Sequence, residues 1–239
     1  MENVIEVSNL TKSFGLKTVV NNLSLNVKQG ETFGLLGHNG AGKSTSIDCI
    51  LGLKNMDDGN VKVLGLDPKH HRKQLFTQVG VQLQSSHYQQ NIRVYELCEE
   101  MSALYPNPRD YKELLAQFSL SEFEKQAVEK LSGGEKQKLS VLLTLIPNPK
   151  VLFLDELTTG LDTVARREVW KVLLNLKKQG VTLLLTSHYM DEVEMLCDRI
   201  LILDHGKQLI TGTVSEVIKQ SPYDTLEQAY LWYMGEELI

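Results

Sequence analysis

Cysteine is scarce: Cys49, Cys98 and Cys197 are the only three in 239 residues, far apart and without a CxxC pair. That argues against a disulfide framework or a zinc site and fits a reducing compartment. An excess of basic charge is missing too, with 25 Lys and Arg against 30 Asp and Glu and a formal net charge of -5. Such a chain has no global field to hold nucleic acid, so no nucleic-acid partner is expected. Long apolar runs are also absent. Val141 to Ile146 and Val181 to Leu185 fall far short of the roughly eighteen residues that span a bilayer. The opening Met1-Glu2-Asn3 has neither the basic nor the apolar region of a secretory signal. The expectation is a cytoplasmic protein that reaches a membrane only by docking to another chain.

What is present is a core-forming chain, 42% hydrophobic, sized for one large domain or two joined subdomains. Val4 to Val7 is short and β-branched, and Leu23, Leu25 and Val27 alternate with polar residues, as in half-buried strands. From about Gln84 to Leu145 helical patterns dominate, with a capping box expected at Ser121 to Glu124. Leu139, Leu142, Leu143 and Ile146 form one buried stripe before Pro147. Val151 to Leu154, Val181 to Thr186 and Ile200 to Leu203 read as buried strands alternating with helices, which argues a parallel α/β sheet.

Gly37-His38-Asn39-Gly40-Ala41-Gly42-Lys43-Ser44 fits GxxxxGK[ST], follows an apolar strand and opens a helix. Glycines let the backbone curl until successive N–H groups point inward at a helix N-terminus, a nest for phosphate oxygens. Lys43 supplies a positive charge to the β- and γ-phosphates, and the Ser44 hydroxyl, followed by Thr45, suits Mg²⁺. A nucleoside triphosphate is the expected ligand. Asp155 and Glu156 follow the buried strand, where open α/β sheets place their ligands. Strand alternation should part the two carboxylates, leaving Asp155 for Mg²⁺ and Glu156 for the attacking water. Alone, the pair fits a solvated acidic turn equally well.

Leu131-Ser132-Gly133-Gly134-Glu135 opens another helix, an anion-binding end by the same logic. Placed before Val151 to Glu156 in a chain with a phosphate loop, it resembles the signature of the ABC transporter ATPases, most closely the drug and antibiotic efflux systems of the ABC-2 class. The resemblance runs along nearly the whole chain. It implies an adenine-stacking role for Phe14, and it makes Gln84 a Q-loop residue that senses Mg²⁺ and water. It also makes Thr158 to Asp162 a D-loop and His188 the switch histidine near the γ-phosphate.

It further implies a P-loop NTPase core with a parallel sheet, an N-terminal antiparallel β subdomain and an inserted helical subdomain. The boundaries would be 1–84 and 147–239 for the core and about 85–146 for the helices. The implied catalytic residues are Glu156, His188, Gln84 and Lys43. ATP would be held by Phe14, Gly37 to Thr45, Ser132 to Glu135 and Asp162, and Mg²⁺ by Ser44, Gln84 and Asp155. In that family the signature reaches ATP bound by a second subunit, so the implied partners are a second ATPase subunit, identical or paralogous, and a polytopic permease at the inner face of the cell membrane. The residues around Gln84, namely His87, Tyr88, Gln89 and Gln90, would face the permease, and export is the favoured direction. A soluble ABC-type ATPase acting on ribosomes or DNA is the alternative, but it commonly carries tandem domains, zinc insertions or coiled coils, and none is seen. A P-loop kinase or GTPase would lack the signature and His188. Two positions depart from the pattern: Leu157 replaces the usual proline, and Glu135 replaces the commoner glutamine, adding negative charge close to the expected phosphates.

Overall fold

The computed structural model describes residues 2–82, 88–158 and 160–236. The first half runs β1 (Asn3–Phe14), β2 (Lys17–Lys28), β3 (Thr32–Leu36), α1 (Lys43–Ile50), β4 (Asp58–Val63), α2 (Arg72–Phe76), β5 (Val79–Gln82), α3 (Val94–Ala103), α4 (Tyr111–Gln117) and α5 (Gly133–Leu145). The second half runs β6 (Val151–Asp155), α6 (Thr163–Lys178), β7 (Thr182–Ser187), α7 (Met190–Leu196), β8 (Arg199–Asp204), β9 (Lys207–Thr213), α8 (Val214–Lys219) and α9 (Leu226–Tyr233).

Two sheets result. One is antiparallel, in the order β2-β1-β4, and the other has six strands in the order β5-β6-β7-β3-β8-β9. In the larger sheet the pairs from β5 through β8 are parallel, as expected, while β9 adds an antiparallel edge. A tight turn at His205-Gly206 between β8 and β9 explains that edge. Both residues have positive φ, 45° and 78°, which is the backbone a two-residue hairpin turn requires.

The central strands β3, β6 and β7 are buried along their full length, so a continuous apolar run was the correct signature. Their side chains divide by parity between two cores. Val151 and Phe153 face a core shared with the N-terminal sheet and α1, whereas Leu152 and Leu154 face the helices α3 to α6. Helix α5 lies so close to β5 that a Cβ on Gly80 would stand 2.2 Å from the Thr144 carbonyl oxygen. The capping box expected at Ser121 to Glu124 does not form. That stretch is a 3₁₀ turn over Ser121–Phe123 whose preceding residue is Leu120, which has no side chain able to cap.

Register decides where the chemistry gathers. In the parallel sheet Leu36 pairs with Ser187, and Asp155 pairs with Thr186. The chain leaving β3, β6 and β7 therefore emerges at one edge, at one level.

Candidate nucleotide-binding site

After β3 the chain curls through Gly37 to Gly42 and enters α1. Gly42 caps that helix at φ 108°, and an added Cβ would stand 2.6 Å from the Val19 carbonyl oxygen, so only glycine fits. Lys43 follows at the first helical position, 5% exposed. Its Nζ donates to the carbonyls of Gly37 at 2.7 Å and His38 at 3.2 Å, and lies 3.8 Å from Glu156 Oε1. Burial lowers the Lys43 pKa, while Glu156 and Asp155 pull it back up. The ammonium is thus held over the loop by neutral carbonyls, partners that a phosphate oxygen outcompetes. A cavity of about 220 Å³ opens there, lined by Asn39, Gly40, Lys43, Ser44, Thr45 and Glu156 among others.

Asp155 ends β6, 4% exposed, and its Oδ1 accepts from the Thr186 hydroxyl at 2.5 Å. The same hydroxyl oxygen accepts from the Glu156 N–H at 2.9 Å. One threonine on the neighbouring strand therefore fixes both acidic positions. The expected strand alternation does not extend to Glu156, because β6 has already ended and this residue takes the left-handed conformation at φ 49°. That backbone, anchored by Thr186, sets the direction of its carboxylate. Glu156 Oε1 lies between Lys43 Nζ at 3.8 Å and His188 Nδ1 at 3.9 Å. The His188 ring rests on Tyr189 with centroids 4.2 Å apart, and the Arg166 guanidinium covers Tyr189 at 4.2 Å. Three segments far apart in sequence thus meet at the cavity mouth.

Other expected residues sit elsewhere. Phe14 ends β1 half-exposed, with Lys12 Nζ 5.3 Å and Lys54 Nζ 5.8 Å from its ring centre. Ser132 caps α5, its hydroxyl accepting from Glu135 N–H at 3.3 Å. The Glu135 carboxylate turns back to accept the Ser132 N–H at 2.7 Å, so the substitution completes a capping box. Neither Ser132 nor Gly133 nor Gly134 lines the phosphate cavity of its own chain. Gly134 instead lies beside Leu161, whose Cδ2 would meet an added Cβ at 3.7 Å. Asp162 caps α6, accepting from Val164 and Ala165 N–H at 2.9 and 2.8 Å. Leu157 is buried, and its carbonyl accepts from the Gln137 side chain, which ties α5 to the end of β6. Gln84, His87 and Thr159 lie outside the described residues.

Sequence reasoning missed Thr186 as a site residue; the hydroxyl pair Thr186-Ser187 closing the largely apolar run Val181 to Leu185 was the available signal. It also missed buried Glu192, whose Oε1 accepts from the Trp170 indole at 3.1 Å just beyond His188.

A phosphate loop, a paired carboxylate, a histidine and a Ser-Gly-Gly helix tip now stand on one scaffold. The sequence model of the ABC transporter family matches residues 20–159. The chain belongs to that family. Among its relatives is the linearmycin resistance ATP-binding protein LnrL of Bacillus subtilis (strain 168), 34% identical over 241 residues, covering 99% of this chain and 78% of that protein. The Nod factor export ATP-binding protein I of Rhizobium sp. (strain N33) is 40% identical over 222 residues, covering 90% of this chain and 73% of that protein. A dimeric structure of a bacterial ABC transporter cassette shares the fold, with a TM-score of 0.78 at 23% identity, covering 87% of this chain and 98% of that one. This ABC protein is accordingly an ATP-binding subunit with the expected α/β fold, in which an antiparallel N-terminal sheet and a helical insertion flank the P-loop core.

Proposed function

We propose that this ABC subunit hydrolyses ATP as one half of a head-to-tail dimer and powers the export of a small molecule through a polytopic permease. The observation that carries the reading is the position of Glu156 Oε1 between Lys43 and His188 at the mouth of the loop cavity.

On nucleotide binding, Lys43 leaves the Gly37 and His38 carbonyls for the β- and γ-phosphates, while the N–H groups from Gly37 to Thr45 cradle the remaining oxygens. Glu156 accepts the proton of the attacking water, and His188 steadies the γ-phosphate side. The donor set of the Ser44 hydroxyl and the buried Asp155 carboxylate, both close to Lys43, is oxygen-only and fits Mg²⁺; Gln84, which the family resemblance adds to that set, lies outside the described residues. When bound, that ion supplies charge neutralisation at the β- and γ-oxygens.

The cavity of one chain lacks the Ser132-Gly133-Gly134 tip, and a partner chain supplies it. The dimeric cassette of the same fold supports this arrangement. Phe14, exposed between two lysines, stacks on adenine, and Asp162 follows Leu161, which lies beside the Gly134 tip of its own chain. Loss of the γ-phosphate removes contacts shared by both chains, so the dimer opens. The relatives, one named for linearmycin resistance and one for Nod factor export, support the direction of transport.

No helix among the described residues is long and apolar enough to cross a membrane. The permease docks on the groove of about 340 Å³ between β5 and the helical segment, lined by Phe76, Tyr88, Met101 and Tyr105, and holds the chain at the inner face of the membrane. Gln89 and Gln90 are exposed at its edge. Replacing Glu156 with glutamine tests the reading: ATP affinity should persist while turnover falls by about 10²- to 10⁴-fold. Near-normal hydrolysis would remove Glu156 from the mechanism.

A further inference from the structure

A second cluster of ligating side chains flanks the phosphate loop on the side of β8 and β9. His38 comes from the loop, and Asp204 and His205 from the end of β8 and the turn that follows it. One ligand atom from each lies within 4.8 Å of the others. His38 Nε2 is 3.0 Å and His205 Nε2 3.7 Å from Asp204 Oδ1, and the two rings meet edge-on with centroids 5.0 Å apart.

The hydrogen bonding at His38 decides what this cluster wants. Its Nδ1 lies 2.7 Å from the Asn39 carbonyl oxygen, which can only accept, so Nδ1 carries the proton. The Nε2 then faces a carboxylate oxygen 3.0 Å away. Such a pair is bridged by a cation, either a second proton on the ring or a metal ion. A backbone carbonyl that fixes Nδ1–H and frees Nε2 is the arrangement that orients a metal-bound histidine. The spacing agrees, since nitrogen and oxygen ligands about 2.0–2.1 Å from a tetrahedral Zn²⁺ lie about 3.3 Å apart. The two measured separations bracket that value.

The frame is rigid as well. Gly206 N–H donates to the Ala41 carbonyl at 2.9 Å, and the Gly206 carbonyl accepts from Asn21 N–H at 2.8 Å, so the turn is pinned to the loop. His205 occupies a left-handed position, φ 45°, where asparagine or glycine is the usual choice.

We infer that His38 Nε2, the Asp204 carboxylate and His205 Nε2 form a binding site for a borderline divalent transition ion, with Zn²⁺ as the type, completed by water. Imidazole and carboxylate ligands suit that class better than Mg²⁺. Neither Ser44 nor Asp155 takes part, so this ion is distinct from the one that accompanies ATP. Bound there, it cross-links the phosphate loop to the β8–β9 turn.

The test is calorimetric titration of ZnCl₂ into the untagged, nucleotide-free full chain, paired with the visible spectrum of the Co²⁺ form. Binding of one ion per chain is expected, with a Co²⁺ spectrum of nitrogen and oxygen coordination. His205→Asn keeps a residue suited to the left-handed turn but removes the imidazole, and should weaken Zn²⁺ by about tenfold or more. A Zn²⁺-dependent rise in melting temperature should appear in the wild type and vanish in that variant, which separates lost binding from lost folding. His70→Asn, altering a histidine near Asp67 on a different surface, should change neither readout. A wild type that takes up no Zn²⁺, or a His205→Asn protein that binds it as tightly as the wild type, would overturn the site and leave only a proton between His38 and Asp204. Neither readout uses ATP turnover, so the result stands apart from the function proposed above.

Discussion

Replacing Thr186 with valine takes away one hydroxyl and almost no volume, from a residue with no exposed surface. The methyl that replaces it can neither donate to Asp155 Oδ1, now 2.5 Å away, nor accept the Glu156 N–H at 2.9 Å. A hydrogen bond to a carboxylate contributes about 1.5–3 kcal/mol, and a poorly accessible N–H left without its partner costs about 1–3 kcal/mol. Together the loss is about 2.5–6 kcal/mol, which lowers the melting temperature by roughly 5–24 °C in a chain of this size. Activity should suffer more than stability. Glu156 sits at φ 49°, a conformation that persists only where its surroundings hold it, and Thr186 is one of its holders. Released, the carboxylate moves off the line between Lys43 and His188, and a displacement of about 1 Å is enough for a loss of about 10²-fold in turnover. Urea melts and steady-state ATPase assays of Thr186→Val and Thr186→Ser measure both effects. Serine should restore most of each, because it keeps the oxygen. A valine variant within about 0.5 kcal/mol of wild type, with unchanged turnover, would refute the role given to this hydroxyl.

Lys43→Ala should weaken nucleotide binding in calorimetry, because among the described residues no other side chain lining the cavity carries positive charge; unchanged affinity would contradict the phosphate assignment. Gly80→Ala should destabilise the fold by about 1–3 kcal/mol through the clash with the Thr144 carbonyl, seen as a lower urea midpoint. Glu192→Gln should show a pH signature. Burial holds the Glu192 carboxyl above the usual carboxylate range, with Ser187 and Trp170 pulling it partly back, so the folded chain keeps a proton that the unfolded chain has lost. The wild type therefore loses stability as pH rises past the ordinary value of about 4.3, and the glutamine variant, which has no such proton, gains on it over that window. A stability difference that stays constant from about pH 4 to about pH 8 would contradict the burial argument.

Much of this molecule was legible in its residues because its chemistry is written in contiguous motifs. The run from Gly37 to Ser44 needs glycine where a Cβ on Gly42 would stand 2.6 Å from the Val19 carbonyl oxygen, and that requirement survives in sequence as a recognisable spacing. Strands β6, β7 and β8 announced themselves through largely apolar runs. What could not be read depended on register. Thr186 matters because β6 and β7 pair Asp155 with it, and His38 meets Asp204 because a hairpin turn folds beside the loop. The Ser121 box failed because capping needs a residue just before a helix, and the residue there is Leu120. For Glu135 the residues showed a charge near the expected phosphates, and the fold adds that its carboxylate accepts the Ser132 N–H of its own helix.

The most direct test of the shared site is sedimentation of the Glu156→Gln protein with ATP and Mg²⁺, alone and combined with Ser132→Arg. The glutamine variant should sediment as a dimer with nucleotide and as a monomer without it, and the added arginine at the helix tip should abolish that dimer while each chain still binds ATP. A nucleotide-loaded protein that stays monomeric, or a dimer indifferent to Ser132, would mean that the phosphate cavity is complete within one chain.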